Sequence, residues 1–187
     1  NIYSMNLTGQ LLISMPSQED ERFEKSVIYM CAHSKDGAMG IIINKKIDYD
    51  LYPDLLQQLG IDNPLIGKKL YIRYGGPVES GRGFVLHSDE FIRKETLTID
   101  KGIALTSTSE FFDDLSKGNG PKNSILALGY AGWGPGQIES ELISNSWMTL
   151  RTDSNFIFDE SVSNKWNDAY DLLGVDPNKL SQFSGSS

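Results

Sequence analysis

Residues Gly129–Glu141 read GYAGWGPGQIESE, with four glycines (Gly129, Gly132, Gly134, Gly136) and Pro135 gathered around Trp133. The apolar run Ser124–Tyr130 precedes them and reads as a strand. Gln137–Ser144 follows and reads as a helix, with Pro135 suited to its first position. Strand, glycine-rich turn and helix is the layout of a phosphate-binding loop, but the chemistry of one is missing. A P-loop needs Lys and Ser or Thr after its last glycine, and Gly136 is followed by Gln137, Ile138 and Glu139. The spacing Gly132-x-Gly134-x-Gly136 does not fit the G-x-G-x-x-G dinucleotide fingerprint. Glu139 and Glu141 fall in the first turns of the helix, where they complement its dipole and repel an anion. The glycines therefore read as architecture: a buried strand turned sharply into a helix, with Trp133 packed over backbone that carries no Cβ.

Working outward, Gln10–Met15 and Ser26–His33 are strand-like, the second apolar enough to be buried on both faces. Ser34–Gly37 is turn chemistry, and Met39–Asn44 reads as the return strand of a hairpin. Asp50–Leu59 has helical spacing with Gly60 as its C-cap. Strands are expected at Lys69–Tyr74, Gly83–His87, Thr96–Ile99, Ile103–Thr106, Trp147–Leu150 and Asn155–Phe158. Ser107 and Glu110 form a capping box for a helix, and Ser163–Leu173 is a second helix closed by Gly174. Strands and helices mix without strict βαβ alternation, which predicts a single α+β domain over residues 1–187 with a mixed, strongly curled sheet. Residues 1–6 read either as a remnant foreign to the protein or as an upstream extension, and 183–187 as a frayed tail.

The chain has 187 residues, a net charge of −8 and one cysteine. An acidic surface repels phosphate, which disfavours direct DNA or RNA binding. The basic clusters Lys45–Lys46, Lys68–Lys69 and Arg93–Lys94 are thin and read as solvated surface. A lone cysteine forms no internal disulfide and fits a reducing cytoplasm. No stretch approaches the ~20 apolar residues of a membrane span, and the N-terminal run lacks the basic leader of a signal peptide.

Chemical candidates are few. Cys31 and His33 stand two apart in a strand and would share a face; a thiol–imidazole pair competes there with a core reading. His87 ends a strand beside Asp89 and Glu90, as a catalytic group or as a capping residue. Two histidines and one cysteine argue against zinc, and neither metal nor cofactor is implied. Gly75, Gly76 and Pro77 form either a turn or a backbone cradle. Asn44 ends its strand either aimed into a cleft or capping the following connection.

These pieces in this order resemble the AlgH/YqgE family of bacterial proteins. The resemblance is carried by LTGQLLISMP, DERFEKSVIYMC, DGAMGIIIN, GGPVESGRGFVLH, ALGYAGWGPGQIESEL, NSWMTL and LGVDPNKLSQFSG, nearly the whole chain from Leu7. One departure is Lys45–Lys46, where members often show Arg-Pro. The resemblance implies a compact α/β fold with its sheet curled towards a pseudo-barrel. It brings no established catalytic residues, and some members carry the label of transcriptional regulator. The family's signature positions fall on Asn44, Gly75, Gly76, Pro77, Gly132, Trp133, Gly136, Gln137 and Glu139; with His87, these supply the candidate surface. The leading expectation is a cytoplasmic, non-catalytic binding or regulatory module whose target is another protein and whose regulation of transcription is indirect. The alternative is a small-molecule sensor or enzyme with its site between the GGPV turn and the GYAGWGPGQIE loop, Glu139 as acid/base and Trp133 as stacking platform.

Overall fold

The apolar run before the glycines is the central strand of the sheet. In the computed structural model, which describes residues 1–47, 54–58, 71–159 and 161–184, the strands are β1 (Leu11–Ser14), β2 (Val27–Ser34), β3 (Gly37–Ile42), β4 (Tyr71–Tyr74), β5 (Val78–Ser88), β6 (Leu97–Asp100), β7 (Ile103–Thr106), β8 (Ser124–Trp133) and β9 (Trp147–Leu150). The helices are α1 (Leu55–Gln58), α2 (Ser109–Ser116), α3 (Gln137–Ile143), α4 (Ser154–Phe158), α5 (Lys165–Leu173) and α6 (Pro177–Ser184). The strands run in the order β6-β7-β5-β8-β3-β2-β1-β9, with β4 added beside β8. β4 pairs with β8 in parallel and the other pairs are antiparallel, so the sheet is mixed.

The sheet curls until its edges approach each other. Asp100, at the end of edge strand β6, lies 3.9 Å from Arg151 just beyond edge strand β9. A Cβ on Gly9, ahead of β1, would sit 2.8 Å from the Asp100 carboxylate. Among the described residues no strand pairing joins the two edges, so the pseudo-barrel stays open. Its concave face holds Tyr29, Ile41, Leu86, Ile125 and Ala127 and is plugged by Trp166 and Tyr170 of α5. Both plugging side chains donate to the Ser14 carbonyl at 2.9 Å, which satisfies their polar atoms inside the core. The convex face is covered by α3 over β1, β2 and β3 and by α2 over β4, β5 and β8.

Two local features differ from the sequence reading in a way that matters for the site. The first is a β-bulge in β2. Met30 pairs with Gly40 but Ala32 pairs with Met39, leaving Cys31 as the extra residue. A bulge reverses the face of every later side chain. Cys31 therefore packs in the concave core, whereas His33 pairs with Ala38 and joins the convex side. The thiol–imidazole pair therefore does not form, and Cys31 takes the core place that was the other reading.

The second is the passage of the chain from β4 to β5. These strands flank β8 on opposite sides, so the link Gly75–Pro77 crosses β8 itself. The crossing is backbone on backbone. A Cβ on Gly76 would lie 2.0 Å from the Tyr130 carbonyl carbon, one on Gly75 2.3 Å from the Gly129 oxygen, and one on Gly129 2.2 Å from the Gly76 oxygen. Gly129 also adopts a φ of 74°, which breaks the alternation of β8. Ile125 and Ala127 face the concave core before it, and Tyr130 does so after it. Gly75, Gly76 and Gly129 let these two segments touch.

Other elements are corrected more simply. Asn155–Phe158 is not a strand. It lies in helix α4, whose N-cap Asp153 accepts the Phe156 N–H, and an apolar run this short does not tell strand from helix. The cap of α2 is Thr108 rather than Ser107. Pro135 precedes the helix, with Gly136 as N-cap at a φ of 76°. α6 covers part of the stretch read as tail. Gly60, Lys68, Lys69 and half of the Asp50–Leu59 helix lie outside the described residues, and α1 falls within the other half. Among the described residues, no helix is long and apolar enough to cross a membrane.

Candidate functional site

Past the crossing, β8 runs on through Ala131–Trp133 towards α3, and its signature residues converge on one end of the molecule. The indole of Trp133 is buried on the convex side, its ring centroid 6.3 Å from that of Phe23 and 6.2 Å from that of Trp147. Rings of this size bury on the order of 150–250 Å² each, roughly 4 to 6 kcal/mol apiece as an upper bound, so the cluster is a firm floor. Glu141, one turn into α3, ties it together. One carboxylate oxygen accepts from the Trp133 and Trp147 indole N–H groups at 3.2 and 2.9 Å, and the other accepts from Gln137 at 3.0 Å. The Gln137 carbonyl in turn accepts the Gly134 N–H at 3.0 Å.

Beside this floor lies a cleft of about 430 Å³, walled by the Ser17–Phe23 segment, Pro77, Val78, Gly132, Gln137 and Glu141. A wider cleft of about 760 Å³ opens at the mouth of the curled sheet, between Met39, Phe84 and Tyr130, with Asp36, Glu79 and Arg82 at its rim. Val78, Gly132 and Trp133 line both. The two clefts therefore adjoin at the point where β5 leaves β8, and together they are called the groove below.

The sequence-derived candidates divide into three groups. Pro77, Trp133 and Gln137 line the groove. Gly75, Gly76 and Asn44 do not line it: the two glycines form the crossing that leads into Pro77. Asn44 accepts the Val27 N–H and donates to the Lys25 carbonyl, both at 2.8 Å, holding Lys25 at a φ of 51° beside the Asp20–Phe23 turn. In that turn Arg22 bonds Asp20 at 2.7 Å and holds its carboxyl below the usual carboxylate range. His87 lies elsewhere. It is fully buried under α2, 4.6 Å from the Phe111 ring centroid. Its Nδ1–H donates to the Ser88 carbonyl at 2.9 Å, and Nε2 accepts from Thr106, which is itself bonded to Thr96. Burial favours the neutral ring and lowers its pKa, against weaker opposing pulls from the Ser88 bond and nearby carboxylates.

Glu139 is buried behind the groove rather than facing it. Its Oε1 lies 2.6 Å from His33 Nε2. His33 Nδ1 accepts the backbone N–H of Leu7 at 2.9 Å, so the ring proton sits on Nε2 and is donated to Glu139. Burial raises the Glu139 pKa, but the His33 bond and Glu139's own N–H outweigh it, and the net shift is downward. The pair fastens the N-terminal segment to α3, and only the exposed helix dipole had been legible in the sequence. Cys31 is buried, which pushes its thiol well above the usual range. Among the described residues no group of three or more His, Cys, Asp or Glu is placed to hold a metal.

Phe23, Trp147 and Glu141 were not singled out as site residues. A signal existed: Gln137 and Glu141 are four apart in a helix and share a face, and Glu141 stands among tryptophans that need an acceptor when buried.

Comparison with known proteins agrees with this architecture. A family model described as AlgH-like matches residues 11–178. The UPF0301 protein of Rhodospirillum rubrum is 44% identical over 96% of this chain and 93% of its own. That of Nitrobacter hamburgensis is 49% identical over 96% and 87%. Among solved structures, the solution structure of the AlgH protein from Pseudomonas aeruginosa aligns with a TM-score of 0.77 and 33% identity, over 95% of this chain and 94% of that one. A Corynebacterium diphtheriae protein shares the fold at 17% identity and a TM-score of 0.72, over 95% and 92%. The chain belongs to the AlgH-like family.

Proposed function

We propose that this protein is a cytoplasmic, non-catalytic binding module that acts in regulation by engaging a partner protein through the groove over Val78, Gly132 and Trp133. The observation that carries the reading is the groove itself. It sits where the GGPV crossing meets the GYAGWGPGQIE loop, on a rigid aromatic floor, with exposed Val78 at its centre. The groups with catalytic potential are engaged in structure: Glu139 bonds His33, which borders the wider cleft, His87 lies in a buried hydroxyl chain, and Cys31 packs in the core. Any effect on transcription then passes through the partner, in keeping with a net charge of −8.

Val78 is 37% exposed and Ile92, on another face, is 50% exposed. Chromosomally tagged Val78→Arg and Ile92→Arg variants therefore test the reading. Quantitative mass spectrometry of co-purifying proteins is expected to show specific loss with Val78→Arg alone. Equal recovery with both variants would remove the groove from consideration.

A second reading has its own observation: the smaller cleft, at about 430 Å³, is within the size range of small-molecule sites. Native mass spectrometry of gently purified protein against its denatured mass distinguishes it by a reproducible extra mass.

A further inference from the structure

From the backbone of the groove and its charge we infer that its occupant is an extended peptide segment of a partner protein, alternating apolar with Lys or Arg residues, which adds as a short strand to β8 at Gly132. This rests on the reading of the groove as a partner-binding surface and specifies the partner's chemistry.

The backbone argument comes first. Trp133 pairs with Ala38 of β3, and a Cβ on Gly37 would lie 2.4 Å from the Trp133 carbonyl oxygen. The N–H and C=O of Trp133 thus point to β3. In a strand these groups alternate sides from residue to residue, so those of Gly132 point the other way, to the side occupied by β5. There β5 stops: Val78 pairs with Tyr130, and Pro77 and Gly76 turn back across β8 to β4. Among the described residues no strand covers Gly132 on this side. Gly132 is exposed and carries no side chain to block approach, and both clefts open onto it. A sheet edge whose N–H and C=O face a groove that no described strand fills is the acceptor geometry for strand addition.

The side chains then specify the sequence. Alternate residues of an added strand point to opposite faces. One set enters the mouth of the curled sheet, against Met39, Phe84 and Tyr130, and suits apolar residues. The other set faces the cleft bordered by Glu19, Asp20 and Glu141; among the described residues its lining cation is Arg22, already bound to Asp20, with Lys45 behind it donating to the Arg22 carbonyl. At the mouth, Arg82 is likewise paired with Glu79, which leaves Asp36 in excess. Both ends of the groove carry surplus negative charge, which selects Lys or Arg on the partner.

The test is selection from a phage-displayed library of random 12-residue peptides on the immobilised full chain, followed by NMR of the labelled protein with the best synthetic peptide. Enriched sequences are expected to alternate apolar and basic residues. Binding should weaken about tenfold between 50 and 500 mM NaCl, as exposed charges are screened, and at least about tenfold with Val78→Arg at unchanged melting temperature. The Gly132 amide, fast-exchanging in the free protein, should slow at least about tenfold in the complex, since a new strand bond must break before exchange. A peptide that shifts Val78 and Gln137 resonances while Gly132 exchange stays fast would overturn strand addition but leave the groove as the binding surface. Enrichment of acidic or wholly apolar sequences, or of none over an unrelated acidic protein, would overturn the basic-peptide assignment. Gly132 protection that grows with protein concentration alone would make a second copy the occupant and overturn it too.

Discussion

The crossing of β8 by Gly75–Pro77 makes Gly76→Ala the most informative single substitution in the fold. Its Cβ would stand 2.0 Å from the Tyr130 carbonyl carbon and 2.4 Å from the Ala131 nitrogen, at a φ of 153°. Neither atom belongs to a flexible side chain, so a backbone must move by about 1 Å to reach a contact near 3 Å. Overpacking of this kind costs roughly 1 to 3 kcal/mol, and a non-glycine residue at such a φ adds about 1 to 3 kcal/mol. The sum is roughly 2 to 6 kcal/mol, equivalent to a fall in Tm of about 4 to 24 °C for a chain of this size. Two controls isolate the cause. Gly136 has a φ of 76° but nothing within 4 Å of its added Cβ, so Gly136→Ala carries the conformational cost alone, about 1 kcal/mol. Gly81 has open space and an ordinary φ, so Gly81→Ala should fall within about 0.5 kcal/mol of the parent. Urea unfolding followed by tryptophan fluorescence and far-UV circular dichroism reads all three. If Gly76→Ala costs no more than Gly136→Ala, the chains do not touch at the crossing and the account of the glycines is wrong.

The buried ionisable groups give further predictions. Because the folded-state pKa of Glu139 is lowered from 4.5, Glu139 contributes stability above pH 4.5 and loses it as pH falls through the lower folded value. Glu139→Gln should therefore lose stability at neutral pH and show a flatter acid limb in urea titrations at stepped pH; an unchanged acid limb would contradict the His33 pairing. His87, its pKa lowered by burial from 6.5, stabilises the neutral fold above pH 6.5, and that contribution falls away towards its lower folded value. Its ring resonances should accordingly stay constant through pH 6.5 in NMR titration, where an exposed histidine moves. Glu141→Ala strands two indole N–H groups and should cost about 2 to 4 kcal/mol, with a red shift of tryptophan emission as the aromatic floor loosens. Cys31 should resist thiol reagents in the native protein and react once urea unfolds it.

Much of this organisation was legible in the sequence where local chemistry and tertiary structure agree. The apolar runs of β2, β3 and β8 announced buried strands, the helical face of α5 with its closing Gly174 was regular, and the glycine loop could be denied a phosphate role from Gln137–Glu139 alone. What was hidden depends on pairing. The bulge at Cys31 has no signature of its own, yet it moves His33 to the opposite face and into the hands of Glu139. The meeting of Gly75–Gly76 with Gly129–Tyr130 joins segments more than 50 residues apart, so each glycine pair read separately as a turn. Phe23, Trp147 and Glu141 share a cluster only because β1 lies between β2 and β9. The site follows from the topology, and the topology from a strand crossing that no local pattern encodes.

The most direct test of the groove's role is site-specific photo-cross-linking in living cells. A photoreactive phenylalanine analogue placed at Val78, Gln137 or Ile92 samples the centre of the groove, its smaller cleft and another face in an otherwise native chain. The account predicts discrete protein adducts from Val78 and Gln137, with the same partner identified at both, and none of that partner from Ile92. Equal adducts at all three positions, or a partner captured from Ile92 alone, would contradict it.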